Sequence, residues 1–219
     1  EESFPMEMAD ENGFFAVLLE DRLELVPYHF LVTYEDGDSE EIVDPYSYQF
    51  YTAFTEEEVK KFGAGIYYDS YQKFGAHPTM EAGISGVHFA VWAPDAMRVS
   101  VVGDFNFWDG RRHQMKKRGP SGIYEIFIPG LKPGAIYKYE IKTKAGLPML
   151  KADPYGNFAE LRPNTASVVW DMSGYQWNDG AWIKEREAAK DRLKDSPMSI
   201  YEVHLGSWMQ KPVAQDEIL

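Results

Sequence analysis

Apolar and polar residues alternate most regularly between residues 86 and 109, in the stretch GVHFAVWAPDAMRVSVVGDFNFWD. Within it, Val87, Phe89 and Val91 alternate with the residues between them, which predicts a strand with one buried face. The tripeptide APD ends that strand, and the β-branched run after it predicts a second strand. The second strand leads into the turn at 103–110, which is polar and carries three aromatic residues.

Further short apolar runs follow at intervals of about ten residues, separated by Gly and Pro, which is typical of an antiparallel sandwich. The clearest runs are Ile123–Ile128, Tyr137–Ile141 and Thr165–Trp170. We therefore predict an all-β fold in which residues 83–172 form a complete Ig-like β-sandwich.

Residues 13–46 repeat residues 122–155 at a constant offset of 109 and without a gap. Six of the 34 aligned positions are identical, where about two are expected from average composition. The identical pairs are Gly13/Gly122, Tyr28/Tyr137, Gly37/Gly146, Asp44/Asp153, Pro45/Pro154 and Tyr46/Tyr155. Coincidence between two hairpin-rich segments is the alternative, but the gapless register favours duplication. Residues 1–54 are then an incomplete first sandwich module, whose counterpart of residues 86–109 would lie before Glu1.

Three segments lie outside the two modules, and two of them are predicted to be linkers. Residues 55–82 predict a linker with a short helix, because Thr55 and Glu58 form a capping box. Residues 173–197 predict a linker helix with one apolar stripe, composed of Trp182, Ile183, Arg186, Ala189 and Leu193. Residues 198–219 contain a single further strand, Ser199–Trp208, which has no partner in this sequence.

Composition narrows the possible partners and the location. A net charge of −13 argues against nucleic acid, because phosphates require a basic face. No apolar run approaches the roughly 18 residues that a membrane helix needs. The absence of cysteine favours a reducing cytoplasm. The aromatic content of 15% exceeds what a core alone suggests, and it suits the flat apolar faces of sugars or peptides.

The sequence contains no complete catalytic, metal-binding or cofactor-binding motif. HExxH, GxxxxGK[ST], GxSxG and GxGxxG are all missing, and the five histidines lack metal-ligand spacing. Asp104 and Asp109 could be imagined as a glycosidase pair, but both lie in a turn where Asp commonly caps the backbone. We therefore expect no catalytic residue, no metal and no cofactor in this chain.

Trp108 is the residue most indicative of function. It ends a polar turn beside Asn106 and Asp109, so its ring could stack on a glucose while amide and carboxylate groups bind hydroxyls. The alternative is a Trp that folds back over the end of the sandwich, and the residues alone do not decide between the two. Lys138 alternates with Tyr137 and Tyr139, so it faces the opposite side of its strand.

Several motifs in order resemble the amino-terminal region of glycogen branching enzymes. They are GVHFAVWAP (86–94), VVGDFNFWDG (101–110), IPGL (128–131), YKYEI (137–141), KADPY (151–155) and RPNTASV (162–168). Residues 28–46 resemble the end of the additional first module that many bacterial members carry. SIYEVHLGSW (199–208) looks like the first strand of their catalytic (β/α)8 barrel.

The resemblance implies a function that the residues alone do not. The parent enzyme would transfer α-1,4-glucan segments to α-1,6 positions by a retaining mechanism, and its Asp and Glu would lie in barrel strands absent here. This stretch would be non-catalytic, would bind α-glucan (glycogen or amylopectin) and would support its own catalytic barrel. The implied carbohydrate-binding residues are Trp108, Lys138, Asn106, Thr165 and Ser167. The second stacking aromatic expected in the hairpin at 146–148 is replaced by Gly-Leu-Pro, which predicts weak binding.

Three other functions are compatible with the sequence. They are a free-standing glycogen-binding module, an Ig-like interaction module that meets a protein partner, and the amino-terminal part of a debranching enzyme. The unpaired strand Ser199–Trp208 argues against the free module, because a single barrel strand has no role there. The sequence YEVHLGSW argues against the debranching enzyme.

Overall fold

The computed structural model describes residues 2–20, 28–48, 51–144, 146–192 and 194–208. Leu193 of the predicted helix stripe and residues 209–219 of the predicted barrel segment lie outside the described residues. The chain divides into two compact units, Glu1–Met172 and Ser173–Leu219.

The first unit begins with two antiparallel hairpins. One consists of β1 (Glu7–Asp10) and β2 (Phe14–Ala16), and the other of β3 (His29–Thr33) and β4 (Ser39–Val43). The turn between β3 and β4 contains Gly37 at φ 90°, a conformation that glycine adopts at little cost. Both hairpins leave apolar side chains exposed, among them Phe14, Phe15 and Leu31.

The predicted capping box begins the first helix, α1 (Glu56–Gly63). The Glu58 backbone N–H donates to Thr55 Oγ1 at 3.2 Å, and the Thr55 N–H donates to Glu58 Oε2 at 2.8 Å. Two backbone donors that the helix leaves unpaired are satisfied in this way. The helix ends where Gly65 adopts a positive φ of 73°.

Nine further strands form the complete sandwich. They are β5 (Gly75–Glu81), β6 (Ile84–Trp92), β7 (Ala96–Gly103), β8 (Lys116–Lys117), β9 (Ile123–Pro129), β10 (Ile136–Thr143), β11 (Met149–Lys151), β12 (Phe158–Ala159) and β13 (Ser167–Val168). One sheet has the order β5-β6-β9-β8. In the other, β10 pairs with β7 along one edge and with β11 and β13 along the opposite edge, and β12 lies outside β13.

The alternating apolar residues of β6 and β7 fill the space between the two sheets, as their period predicts. The core cluster includes Val87, Phe89, Val99, Val101, Tyr137 and Tyr139, all fully buried. β6 differs from the prediction because its second face is buried too. Ala90 on that face packs in a second cluster with Phe54 and Phe74, which lie before and after α1 in the chain.

β5 lies within residues 55–82, which the sequence pattern predicts to be a linker. Gly75–Glu81 pairs with β6 over seven residues and forms the edge of its sheet. Pro78 obscures this strand in the sequence, since proline removes a donor from the strand ladder. An edge strand tolerates proline, so the sandwich includes residues that precede position 83.

The hairpins of the first module repeat the strand register of the second at the offset of 109. Phe30 faces Ile42 in the β3–β4 hairpin, as Tyr139 faces Lys151 in the β10–β11 hairpin. The next two pairs of both hairpins also coincide at this offset. The β1–β2 pair Met8–Phe15 coincides in the same way with the β8–β9 pair Lys117–Tyr124. The structure therefore supports the duplication and extends it towards the amino end.

A tyrosine–aspartate clip closes the β3–β4 and β10–β11 hairpins. The Tyr28 hydroxyl donates to Asp44 Oδ2 at 2.5 Å, and the Tyr137 hydroxyl donates to Asp153 Oδ2 at 2.6 Å. In both, the second carboxylate oxygen accepts the backbone N–H two residues on, at 2.8 Å. Burial, followed by the bond to Asp44, raises the pKa of Tyr28 to about 12. The repeated Asp-Pro-Tyr sequence therefore corresponds to the same hydrogen-bonding arrangement in both hairpins.

The second unit contains α2 (Gly180–Ala188) and α3 (Leu205–Trp208). α2 lies within the predicted linker helix, and both Trp182 and Ile183 of its apolar stripe are exposed. The sequence predicts a strand over Ser199–Trp208, but the described residues 194–208 contain no strand. A strand needs a partner for its backbone groups, and no strand among the described residues pairs with this segment. Its role in a barrel stays a prediction.

Candidate carbohydrate-binding site

The turn that carries Trp108 follows β7 directly and has an uncommon backbone. A short 3-10 helix, Asp104–Asn106, leads into Phe107 and Trp108, whose φ angles are 57° and 58°. Two consecutive aromatic residues with positive φ are rare, because the Cβ atom crowds the backbone there. Such strain persists only where the surroundings fix it, and it is concentrated at functional sites.

The Trp108 ring is held by one hydrogen bond and stays partly accessible. Its indole Nε1–H donates to Asp104 Oδ1 at 2.8 Å, and 36% of the residue is exposed. The neighbouring Phe107 is 81% exposed, and the Arg112 guanidinium lies 5.6 Å from its ring centroid. The turn therefore presents two aromatic side chains to solvent. The sequence pattern predicts only Trp108 as a contact, although the same FNFW motif contains Phe107.

Asn106 supports the turn from inside and does not reach the surface. The residue is fully buried, and its Oδ1 accepts the Gly103 N–H at 3.0 Å. Its Nδ2 donates to the Val101 carbonyl and to His113 Nδ1, each at 2.8 Å. Because these contacts occupy its amide group, Asn106 supports the turn from inside. The sequence predicts that Asn106 contacts the sugar, but the structure does not place its side chain at the surface.

His113 makes the turn sensitive to acid. Burial and the neighbouring Arg112 lower the pKa of His113 from 6.5 to about 4, so its Nδ1 stays free to accept from Asn106. The unfolded chain takes up this proton near pH 6.5, and the folded chain only near pH 4. The free energy of unfolding should therefore fall as the pH is lowered from 7 to 5, by about 2 kcal/mol. Thermal melts across this range, compared with His113→Gln, check this prediction. Parallel pH curves for the two proteins would contradict it.

Lys138 and Thr165 meet on the outer face of β10. The Lys138 Nζ donates to Thr165 Oγ1 at 2.8 Å, and both lie at the accessible surface. Tyr137 and Tyr139 on either side of Lys138 are buried in the core, as the alternation predicts. Ser167 is buried instead, where its Oγ accepts the Asp153 N–H at 2.9 Å. The predicted contact of Ser167 with sugar therefore has no accessible hydroxyl in this structure.

The strand register places the Trp108 turn beside Lys138. Gly103 faces Tyr137, the residue before Lys138, across the β7–β10 pair. The Trp108 N–H donates to the Gly103 carbonyl at 2.9 Å, so the turn folds back onto that position. Trp108, Lys138 and Thr165 therefore occupy one end of this sheet. They offer an aromatic face, a cationic donor and a hydroxyl, which is chemistry suited to a neutral polyol.

The described part of the chain has few other groups suited to metal binding or catalysis. No group of three or more His, Cys, Asp or Glu residues there could hold a metal ion. Asp109 forms hydrogen bonds to Arg111, which hold the pKa of its carboxyl well below the usual value. This favours the turn-capping interpretation of Asp109 over a catalytic one. Among the described residues, no helix has the length and apolar character needed to cross a membrane.

Two family models match this chain. Residues 73–156 match carbohydrate-binding module 48, described as the isoamylase N-terminal domain. Residues 1–46 match the N-terminal domain of the alpha-1,4-glucan branching enzyme GlgB. The antiparallel sandwich and the first match together define a carbohydrate-binding module of the β-sandwich class.

Curated relatives extend the match over most of the chain. The 1,4-alpha-glucan branching enzyme GlgB of Rubrobacter xylanophilus is 52% identical over 84% of this chain and 25% of its own length. The corresponding enzyme of Paramagnetospirillum magneticum is 48% identical over 94% of this chain and 27% of its own. The chain therefore belongs to the GlgB branching-enzyme family, of which it represents the amino-terminal region. It spans about a quarter of the length of these relatives.

Parts of several solved structures are also similar to this chain. Ligand-free PulA from Klebsiella pneumoniae aligns with a TM-score of 0.37 and 25% identity, over 46% of this chain and 10% of its own.

Proposed function

We propose that the complete sandwich binds α-glucan at the surface formed by Trp108, Lys138 and Thr165. The observation that carries this proposal is the strained turn that holds a partly exposed Trp108 ring beside Lys138. Asn106 and Ser167 act beneath this surface as supports. The family match to a carbohydrate-binding module favours the same ligand class.

The parent protein, in this proposal, is a glycogen branching enzyme that transfers α-1,4-glucan segments to α-1,6 positions. The chain described above has no catalytic role of its own, and it binds glycogen or amylopectin and supports the catalytic barrel. The names of the relatives support this activity. We also infer a cytoplasmic location, because a chain without cysteine suits a reducing compartment.

Replacing the two main contacts should abolish retention by glucan. In native gels cast with glycogen, we expect the double variant Trp108→Ala, Lys138→Ala to migrate as it does without glycogen, whereas the parent chain is retarded. The reason is that stacking supplies the apolar contact and Lys138 the polar one, and an open surface has few others.

Lys142→Ala is a matched control, because Lys142 lies on the same strand and outer face four residues away. It should leave the retardation unchanged. Equal retardation of the parent and the double variant would remove the assignment of this site. Absence of retardation even for the parent chain would favour the Ig-like protein-interaction module instead.

A further inference from the structure

We propose that Phe158 and Trp170 form a second α-glucan contact, on the same sheet face as Lys138. This inference rests on the proposed function, because it extends that surface along the sheet. The two rings stack with their centroids 4.8 Å apart and their planes 25° apart. Phe158 is 49% exposed and Trp170 is 46% exposed, so part of each ring is open to a ligand.

The strand register places this pair on the outer face. Residues directly opposite each other on neighbouring strands share one face of a sheet. Ile136 lies two residues before Lys138 and so faces the same side. Ile136 is opposite Val168, and Val168 is opposite Phe158. Trp170 follows Val168 by two residues, and its contact with Phe158 confirms that its ring lies on this side.

One hairpin joins the second contact to the first. β12 and β13 are linked by residues 160–166, where Glu160 N–H donates to the Ala166 carbonyl at 3.1 Å. Glu160 Oε2 accepts the Ala166 N–H at 2.9 Å, which fixes the tip of the hairpin. Thr165 at this tip accepts from Lys138. The β12–β13 hairpin and the residues directly after it thus carry Thr165 and both rings.

The spacing suits one oligosaccharide that touches both contacts. Phe158 is separated from Lys138 by two strand spacings across the sheet and two residues along it, or about 12 Å between Cα atoms. A short α-1,4-linked chain spans that distance, whereas a single glucose does not. Long glucans should therefore use Phe158 and Trp170, and very short ones should not.

The chain-length dependence of binding tests this inference. We expect Trp170→Ala to weaken maltoheptaose binding by the 219-residue chain about three- to tenfold, the value of one aromatic contact. Maltose binding should stay unchanged in the same NMR titration, because two glucose units are shorter than the separation of the two contacts. Trp170→Phe should keep most of the maltoheptaose affinity. Trp177→Ala is the matched control, since Trp177 is 78% exposed in the second unit and should have no effect.

The possible outcomes separate this inference from the proposed function. If Trp108→Ala weakens both ligands and Trp170→Ala weakens neither, the second contact is overturned and the Trp108 site stands. A protein partner on Phe158 and Trp170 would give that same result. If Trp108→Ala changes neither ligand and Trp170→Ala weakens maltoheptaose, the proposed Trp108 site fails and the second contact stands.

Discussion

Asp153→Ala should destabilise the complete sandwich by about 3–5 kcal/mol. Asp153 is buried, and its Oδ2 accepts from the hydroxyls of Tyr137 and Tyr139, at 2.6 and 3.0 Å. Its removal takes the carboxylate acceptor away from both buried hydroxyls, and the Tyr139 hydroxyl keeps only a longer contact, to the Ala90 carbonyl at 3.3 Å. Each lost bond to the carboxylate costs about 1–3 kcal/mol. Urea unfolding followed by tryptophan fluorescence measures the loss. Asp153→Asn keeps one acceptor oxygen and should cost less.

The duplication supplies the control for this prediction. Asp44 makes the equivalent clip with Tyr28, but Tyr28 is exposed and water can replace the lost bond. Asp44→Ala should therefore cost about 1 kcal/mol or less. Equal losses for Asp44→Ala and Asp153→Ala would show that burial of the clip does not set its energy.

Glu125→Ala should destabilise the same sandwich by about 3 kcal/mol, through a different group of residues. The Glu125 side chain is buried, and its Oε2 lies 3.2 Å from His88 Nε2. Oε2 also accepts the Ala53 N–H at 3.0 Å, and Oε1 lies 3.3 Å from Arg118 Nε. The substitution leaves Arg118 without its buried counter-charge and the Ala53 N–H without its acceptor. Denaturant titration measures this loss.

An exposed ion pair serves as the comparison for Glu125. Glu57 pairs with Lys61 at 2.7 Å on the surface of α1. Glu57→Ala should leave the free energy of unfolding almost unchanged, because such exposed pairs are weak in water. A loss for Glu125→Ala as small as that for Glu57→Ala would contradict the role given to the buried group.

The sequence predicts those parts of the fold in which local pattern and tertiary environment agree. The alternation in β6 and the capping box at Thr55 both appear in the structure as expected. The buried second face of β6 could not be predicted, because His88 and Ala90 are polar or small and are covered by a distant segment. β5 was missed for a related reason, since GAHPTME lacks alternation and contains a proline.

The positions of the proposed contact residues follow from the sequence only in part. Sequence placed Trp108 on a turn and Lys138 on the outside of its strand, and the structure has both there. The sequence does not show which polar residues are exposed and which are buried. The hydrogen-bond partners of Asn106 and Ser167 are brought to them only when the chain folds. The pairing of Phe158 with Trp170 was also invisible, since it depends on the short strands β12 and β13.

The matched hairpins provide a natural unit for protein engineering. Residues 28–46 and 137–155 have equal length, the same register in three strand pairs and the same clip at their ends. Either hairpin can therefore serve as a cassette for the other without a change in loop length. His29 occupies in the first cassette the place that Lys138 has in the second. Exchange of the two hairpins would thus replace Lys138 by His29 and keep the strand register.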